Sequence, residues 1–161
     1  MTKRLAVFAG SFDPMTHGHL SILNRGLRLF DEILVAVTIN VRKKPLFTAE
    51  ERMSFVRTCF PEEPRIRVEC LDGLLAQYAS DHGACALLRG LRAPSDFEYE
   101  LQMSQMNRFL CPELETVFLS AEAEGSYVSS SLVKEVAALG GDVGALVPPH
   151  VHRALVARYN A

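Results

Sequence analysis

The segment Gly10-Ser11-Phe12-Asp13-Pro14-Met15-Thr16-His17-Gly18-His19, directly behind the apolar run Leu5 to Ala9, decides how this chain is read. A continuous apolar run of that kind is a strand buried on both faces. Gly and Pro then make a tight turn, and the first turn of a helix follows. A helix start placed there is an anion site, because unpaired backbone N–H groups and the helix dipole point the same way. This one also carries the hydroxyls of Ser11 and Thr16 and the imidazole of His19, while Gly18 leaves room for a ligand to approach the backbone.

Outward from this segment, strand-like and helix-like stretches alternate. Leu20, Leu23, Leu27 and Phe30 recur at helical spacing from His19 to Phe30. Strands are predicted at Ile33–Ile39, Ile66–Cys70, Ala84–Leu88 and Glu115–Leu119. Helices are predicted from the capping box Thr48-Ala49-Glu50-Glu51 to Cys59, from Leu74 to His82 with Gly83 as its stop, and from Phe97 to Leu110. Two more run from the serines at 129–131 to Leu139, and from Pro148 or Pro149 nearly to the end. Arg89 to Ser95 reads as a loop. The alternation predicts an α/β fold, a doubly wound, Rossmann-like sheet of five parallel strands in a single domain spanning residues 1–161. With strand order 3-2-1-4-5, ligands would sit where the order reverses, beyond the ends of strands one and four. Those ends carry Gly10-Ser11 and Arg89-Gly90.

The 161 residues suffice for a full core without staples. A net charge of −2 argues against a nucleic-acid binder that works through a basic surface. Cys59, Cys70, Cys85 and Cys111 form no C-x-x-C pair and read as buried free thiols in a reducing compartment. The apolar run near the N-terminus is too short for a signal peptide, and no run is long enough to span a membrane. A cytoplasmic protein is expected.

Four further clusters carry candidate chemistry. Leu88-Arg89-Gly90-Leu91-Arg92 puts two guanidinium forks at a strand end, suited to phosphate oxygens or simply solvated. Ser126-Tyr127-Val128-Ser129-Ser130-Ser131-Leu132-Val133-Lys134 opens a helix with three serines, of which a cap needs one. Arg42-Lys43-Lys44-Pro45 is a basic loop, either solvated or able to follow a phosphate through reaction. Glu100 and Asn107 share one helix face; as an ordinary helix, that segment would bury Phe97, Met103, Met106 and Leu110.

Together these segments resemble the bacterial phosphopantetheine adenylyltransferases of the nucleotidylyltransferase superfamily. Thr16-His17-Gly18-His19 is similar to the superfamily's T/H-x-G-H motif. K-K-P-L-F-T-x-E-E-R, R-G-L-R-x-x-x-D-F-E-Y-E and S-S-S-L-V-K-E-V follow in family order, to about Pro148. The resemblance implies transfer of the adenylyl group of ATP to 4′-phosphopantetheine, giving dephospho-coenzyme A and pyrophosphate, with Mg²⁺ bound through the ATP phosphates. It implies His19, Lys43 and Arg92 as catalytic residues. It assigns ATP to Ser11, Phe12, His19, Gly90, Leu91, Arg92, Glu100 and the loop Gly125, Ser126, Tyr127, Val128, Ser129, Ser130 and Ser131. It assigns phosphopantetheine to Ser11, Lys43, Leu75 and Arg89. It further implies a homohexamer and coenzyme A as an inhibitor, with no nucleic-acid or membrane partner. Ala9 stands where the family often has Pro, Gly125 where an aromatic residue is usual, and His17 at a variable position without a role. Two other readings stay open: a related transferase with another phosphate acceptor, and a nucleotide- or coenzyme A-binding module without catalysis.

Overall fold

The computed structural model describes residues 3–39, 44–122 and 128–160. Its first strand, β1 (Leu5–Gly10), is central. Helix α1 (His17–Gly26), β2 (Glu32–Thr38), α2 (Ala49–Cys59), β3 (Ile66–Leu71), α3 (Leu75–Asp81), β4 (Ala86–Leu91), α4 (Pro94–Leu110), β5 (Glu115–Ser120), α5 (Ser130–Ala138) and α6 (Pro149–Tyr159) follow in turn. The strands form one sheet in the expected order β3-β2-β1-β4-β5, every neighbouring pair parallel.

Side chains of β1 alternate between two cores, as the period of a strand requires. Ala6 and Phe8 face a core closed by Ile22 and Leu23 of α1, Phe55 and Val56 of α2, Val133 of α5 and Val151 and Leu155 of α6. Leu5, Val7 and Ala9 face the other core, closed by Ala76 and Ala79 of α3 together with Leu114. Helices on both faces explain why β1 from Leu5 to Ala9 and β2 from Ile33 to Val37 are apolar throughout.

The sheet splits where the site lies. β1 stays in register with β2 from Leu5↔Glu32 to Gly10↔Val37, but pairs with β4 only at Ala6↔Ala86 and Val7↔Leu87. Beyond Val7 the two strands diverge, and helices leave them toward opposite faces, α1 from β1 and α4 from β4. Arg89 answers the gap by donating Nη1–H to the orphaned carbonyl of Ala9 at 2.7 Å.

Several local expectations hold. Thr48 accepts from the backbone of Glu51 at 3.2 Å, and Glu51 answers at the Thr48 N–H at 2.8 Å. Gly83 takes the left-handed φ of 68° that a helix stop requires. Others change. α1 begins at His17 and ends at Gly26, where an added Cβ would lie 2.6 Å from Leu88 and 2.8 Å from Ile33, both fully buried. Leu27 to Phe30 then continues in tighter turns. The predicted loop at Arg89–Ser95 is mostly regular structure, because β5 carries the β4 ladder on through Leu91↔Ser120 and α4 starts at Pro94. The four cysteines are free, but Cys85 is exposed and the other three are only partly buried, since Cys85 precedes β4 at the rim of the sheet.

The largest correction concerns α4. Phe97, Met103, Met106 and Leu110 are not core: they are exposed, together with Tyr99 and Phe109, the last at 81%. The buried residue of this helix is Asn107. α4 rests on β4, β5 and α3 through one narrow face and turns its apolar side outward.

Candidate active site

A cavity of about 600 Å³ opens at the divergence of β1 and β4. Its wall is the turn after β1, the start of α1, the end of β4, one face of α4 and the start of α5. This is where the strand order reverses, the position that open α/β sheets use for ligands.

The turn is built under strain. Phe12 has φ 48°, a left-handed conformation that a bulky residue rarely adopts and that costs of order 1–3 kcal/mol. Packing holds it there: the Phe12 ring is buried, edge-on to Phe8 at 5.4 Å and to His19 at 5.0 Å. Phe12 therefore seats the imidazole and does little to line the cavity.

His19 is fixed from the other side by the helix start. Its Nδ1 accepts the backbone N–H of Thr16 at 3.0 Å and lies 3.1 Å from the Thr16 hydroxyl. The imidazole thus takes the part that Glu or Gln plays in an ordinary capping box. A nitrogen that accepts carries no proton, so the ring's proton sits on Nε2. Burial lowers the pKa of His19 to about 4, and the charges of Arg92 and Arg89 add to the effect. The side chain is therefore a neutral donor at physiological pH.

The two arginines are held in place by carboxylates. Arg89 pairs with Glu100 through both prongs, at 2.8 and 2.6 Å. Arg92 faces Asp96 one helical turn on, with contacts of 3.3 and 3.4 Å, and donates to the Val128 carbonyl at 3.3 Å. Arg92 thereby bridges the end of β4 to the start of α5. Gly90 lets α1 come close, since a Cβ there would meet Ile22 at 3.1 Å.

The serines have divided duties. Ser129 caps α5 by accepting from the Leu132 N–H at 3.1 Å. Ser130 donates to the Pro14 carbonyl at 2.7 Å, fastening α5 to the turn. Ser131 borders the cavity beside them.

Among the residues singled out from the sequence, the structure brings Ser11, Phe12, His19, Arg89, Gly90, Arg92 and Glu100 together around the cavity with Val128, Ser129, Ser130 and Ser131. Leu91 ends β4 without lining it. Leu75 opens α3 and packs against the second core, away from the cavity. Lys43, Gly125, Ser126 and Tyr127 lie outside the described residues.

Sequence reasoning missed Arg52. The residue is 3% exposed, and its guanidinium donates to the carbonyls of Phe47 at 3.1 Å, Ser11 at 2.7 Å and Thr38 at 3.0 Å. It cross-links the turn after β1, the end of β2 and the segment before α2. The signal was there, since Arg52 stands one helical turn before Phe55 and Val56, on the face of the helix that is apolar. Its carbonyl partners lie too far along the chain to be read from it. Among the described residues no group of three or more His, Cys, Asp or Glu could hold a metal ion. The two carboxylates on the cavity, Asp96 and Glu100, are already engaged by arginines. Such a wall fits a cation that arrives on a phosphate substrate and keeps its waters, rather than one caged by protein.

Residues 7–136 match the cytidylyltransferase-like family model. The chain is 48% identical over 160 residues to the phosphopantetheine adenylyltransferase of Geotalea daltonii, covering 99% of each. It is 50% identical over 153 residues to that of Anaeromyxobacter dehalogenans, covering 95% of this chain and 93% of the other. A crystal structure described as a putative nicotinate-nucleotide adenylyltransferase from Vibrio parahaemolyticus superposes with a TM-score of 0.72 at 15% identity, covering 99% and 98% of the two chains. That likeness bears on the fold.

Proposed function

Since this chain belongs to the phosphopantetheine adenylyltransferases of the cytidylyltransferase-like family, we propose that it transfers the adenylyl group of ATP to 4′-phosphopantetheine, yielding dephospho-coenzyme A and pyrophosphate. The observation that carries the mechanism is the neutral His19, its Nε2–H presented to a cavity flanked by Arg89, Arg92 and the start of α5.

A phosphate oxygen of the acceptor attacks the α-phosphorus of ATP. The new P–O bond forms as the bond to the β-phosphate oxygen breaks, and pyrophosphate leaves. A phosphate monoester is already anionic near neutral pH, so the step needs no general base. Catalysis is then positioning and charge stabilisation. His19 donates to the α-phosphate oxygen as charge develops there. Arg89 and Lys43 balance the acceptor phosphate, and the pantetheine arm would have to leave the cavity and reach the start of α3 to meet Leu75. Arg92 and the serine-bearing start of α5 hold the β- and γ-phosphates. Ser11, Phe12, Gly90, Leu91, Glu100 and the loop 125–131 complete the ATP site. Mg²⁺ enters as part of Mg-ATP. Coenzyme A, which shares the product's body, would compete for the same cavity.

The test is pyrophosphate release from Mg-ATP with 4′-phosphopantetheine, nicotinamide mononucleotide and glycerol 3-phosphate offered separately. Turnover with the first alone supports the assignment. Turnover with another acceptor keeps the chemistry and removes the acceptor.

The outward apolar side of α4 supports self-association, in the homohexamer that the family resemblance implies. Replacing Met106 and Phe109 together by Glu is expected to convert the assembly to smaller species in light scattering. An unchanged mass would place the interface elsewhere. No described helix is long and apolar enough to cross a membrane; use of ATP by the family to which the chain belongs supports a cytoplasmic site of action.

A further inference from the structure

Asp13 has no part in the mechanism above, does not line the cavity, and is 4% exposed. A buried carboxylate needs partners, and this one collects three from distant parts of the chain. Its Oδ1 accepts the Phe47 N–H at 2.9 Å, and its Oδ2 accepts the Leu46 N–H at 3.0 Å and the Lys134 ammonium at 2.7 Å. Leu46 and Phe47 lie just beyond Lys43. Lys134 sits one helical turn beyond Ser130, on α5. α5 is thus pinned to the turn at two points, Ser130 on Pro14 and Lys134 on Asp13.

We propose that Asp13 is a positioning residue that joins the segment of Leu46 and Phe47 and the serine-bearing start of α5 to the turn carrying Ser11, so that the groups around the transferred phosphates form one frame. The proposal rests on the adenylyltransferase reading. Two apolar side chains could fill the same volume, but they would leave the Leu46 and Phe47 N–H groups without an acceptor. A charge-assisted contact is also shorter and more directional than apolar packing. A small displacement of a phosphate grip is costly, since misplacement by about 1 Å can lower a rate ~10²-fold.

Three variants test it: Asp13→Asn, Lys134→Met and the double. Each single change is expected to lower kcat at least ~10-fold, with the KM for ATP within about threefold of wild type, the pattern of lost transition-state positioning. The double should be no slower than the worse single, because both cut one contact. Lys134→Arg, which keeps the cation, should recover most of the rate. The proposal is overturned by singles that lose melting temperature but keep kcat, by losses that multiply in the double, or by Lys134→Met raising only the KM for ATP. A second readout needs no turnover: amide exchange at whichever of Leu46 and Phe47 faces the new amide nitrogen should quicken at least ~10-fold in Asp13→Asn, while both stay slow in Lys134→Met. Unchanged protection in Asp13→Asn sinks the frame even if the wild type is active. A wild type inactive on 4′-phosphopantetheine sinks the functional reading, while the exchange rates still judge the frame.

Discussion

His19→Ala is expected to lower kcat by at least ~10²-fold while leaving the dissociation constant for ATP close to that of the wild type, as loss of a single transition-state donor does. The reason lies in how the ring is held. Thr16 N–H occupies Nδ1 and Phe12 packs against the ring, and the mechanism proposed above uses the remaining Nε2–H to meet charge on the α-phosphate. Glutamine at this position places a donor differently and should recover only part of the rate. Single-turnover kinetics beside calorimetry for ATP would separate the two quantities. Wild-type kcat in the alanine variant would remove His19 from the chemistry.

The same site fixes a pH dependence. With the pKa of His19 lowered to about 4 by burial and then by Arg92 and Arg89, the ring stays neutral through the neutral range, and kcat should show no acid limb near pH 6.5 from this group. In the unfolded chain the imidazole takes up its proton near pH 6.5. The unfolded state therefore binds more protons between that pH and about 4. The stability His19 contributes is fully present above pH 6.5 and is lost as pH falls toward the folded value. His19→Ala should flatten that part of a melting-temperature profile.

Arg52→Met is expected to cost about 3 kcal/mol of folding stability, since each buried acceptor left without a donor costs roughly 1–3 kcal/mol. Methionine matches the stem in length, so the change removes the guanidinium and little volume. The acceptors are main-chain carbonyls of Ser11, Thr38 and Phe47, and no substitution can remove them. This separates Arg52 from ion pairs that tolerate joint replacement by apolar residues. For a chain of this size the melting temperature should fall by about 6–12 °C. Urea unfolding of the two proteins would measure the difference, and equal midpoints would mean that water satisfies all three carbonyls.

Much of the architecture could be read from the chain because it rests on local patterns. The run Leu5–Ala9 can only be a doubly covered strand, and the Thr48–Glu51 box and Gly83 mark helix ends by chemistry that spans four residues or fewer. The site's location followed from strand order, and Ser11, His19, Arg89, Arg92 and the serines converge there. What escaped depended on distant partners. β4 runs on through Leu91 only because β5 pairs with it. Asp13 looked like a turn residue because its partners lie 33, 34 and 121 positions away. On α4, Phe97, Met103, Met106 and Leu110 have the spacing of a core stripe. The spacing is real, but within one copy of the fold it faces outward, and what would cover it is the subject of the self-association test above.

The parting of β1 from β4 also bears on how the protein is made. Every link between neighbouring strands is a crossover, and the contact that sets the cavity's mouth joins residues 80 positions apart, Ala9 and Arg89. Closing a loop of that length is slow compared with forming a helix. As the chain leaves the ribosome, β1 and β2 can pair early, but the central strand keeps a bare edge until β4 is synthesised. Asp13 lacks its cation for longer still, until Lys134 emerges. A nascent chain halted in between would present an unpaired strand edge, the feature most prone to wrong association. The division of the sheet that makes room for two substrates therefore leaves its own middle unprotected for much of synthesis.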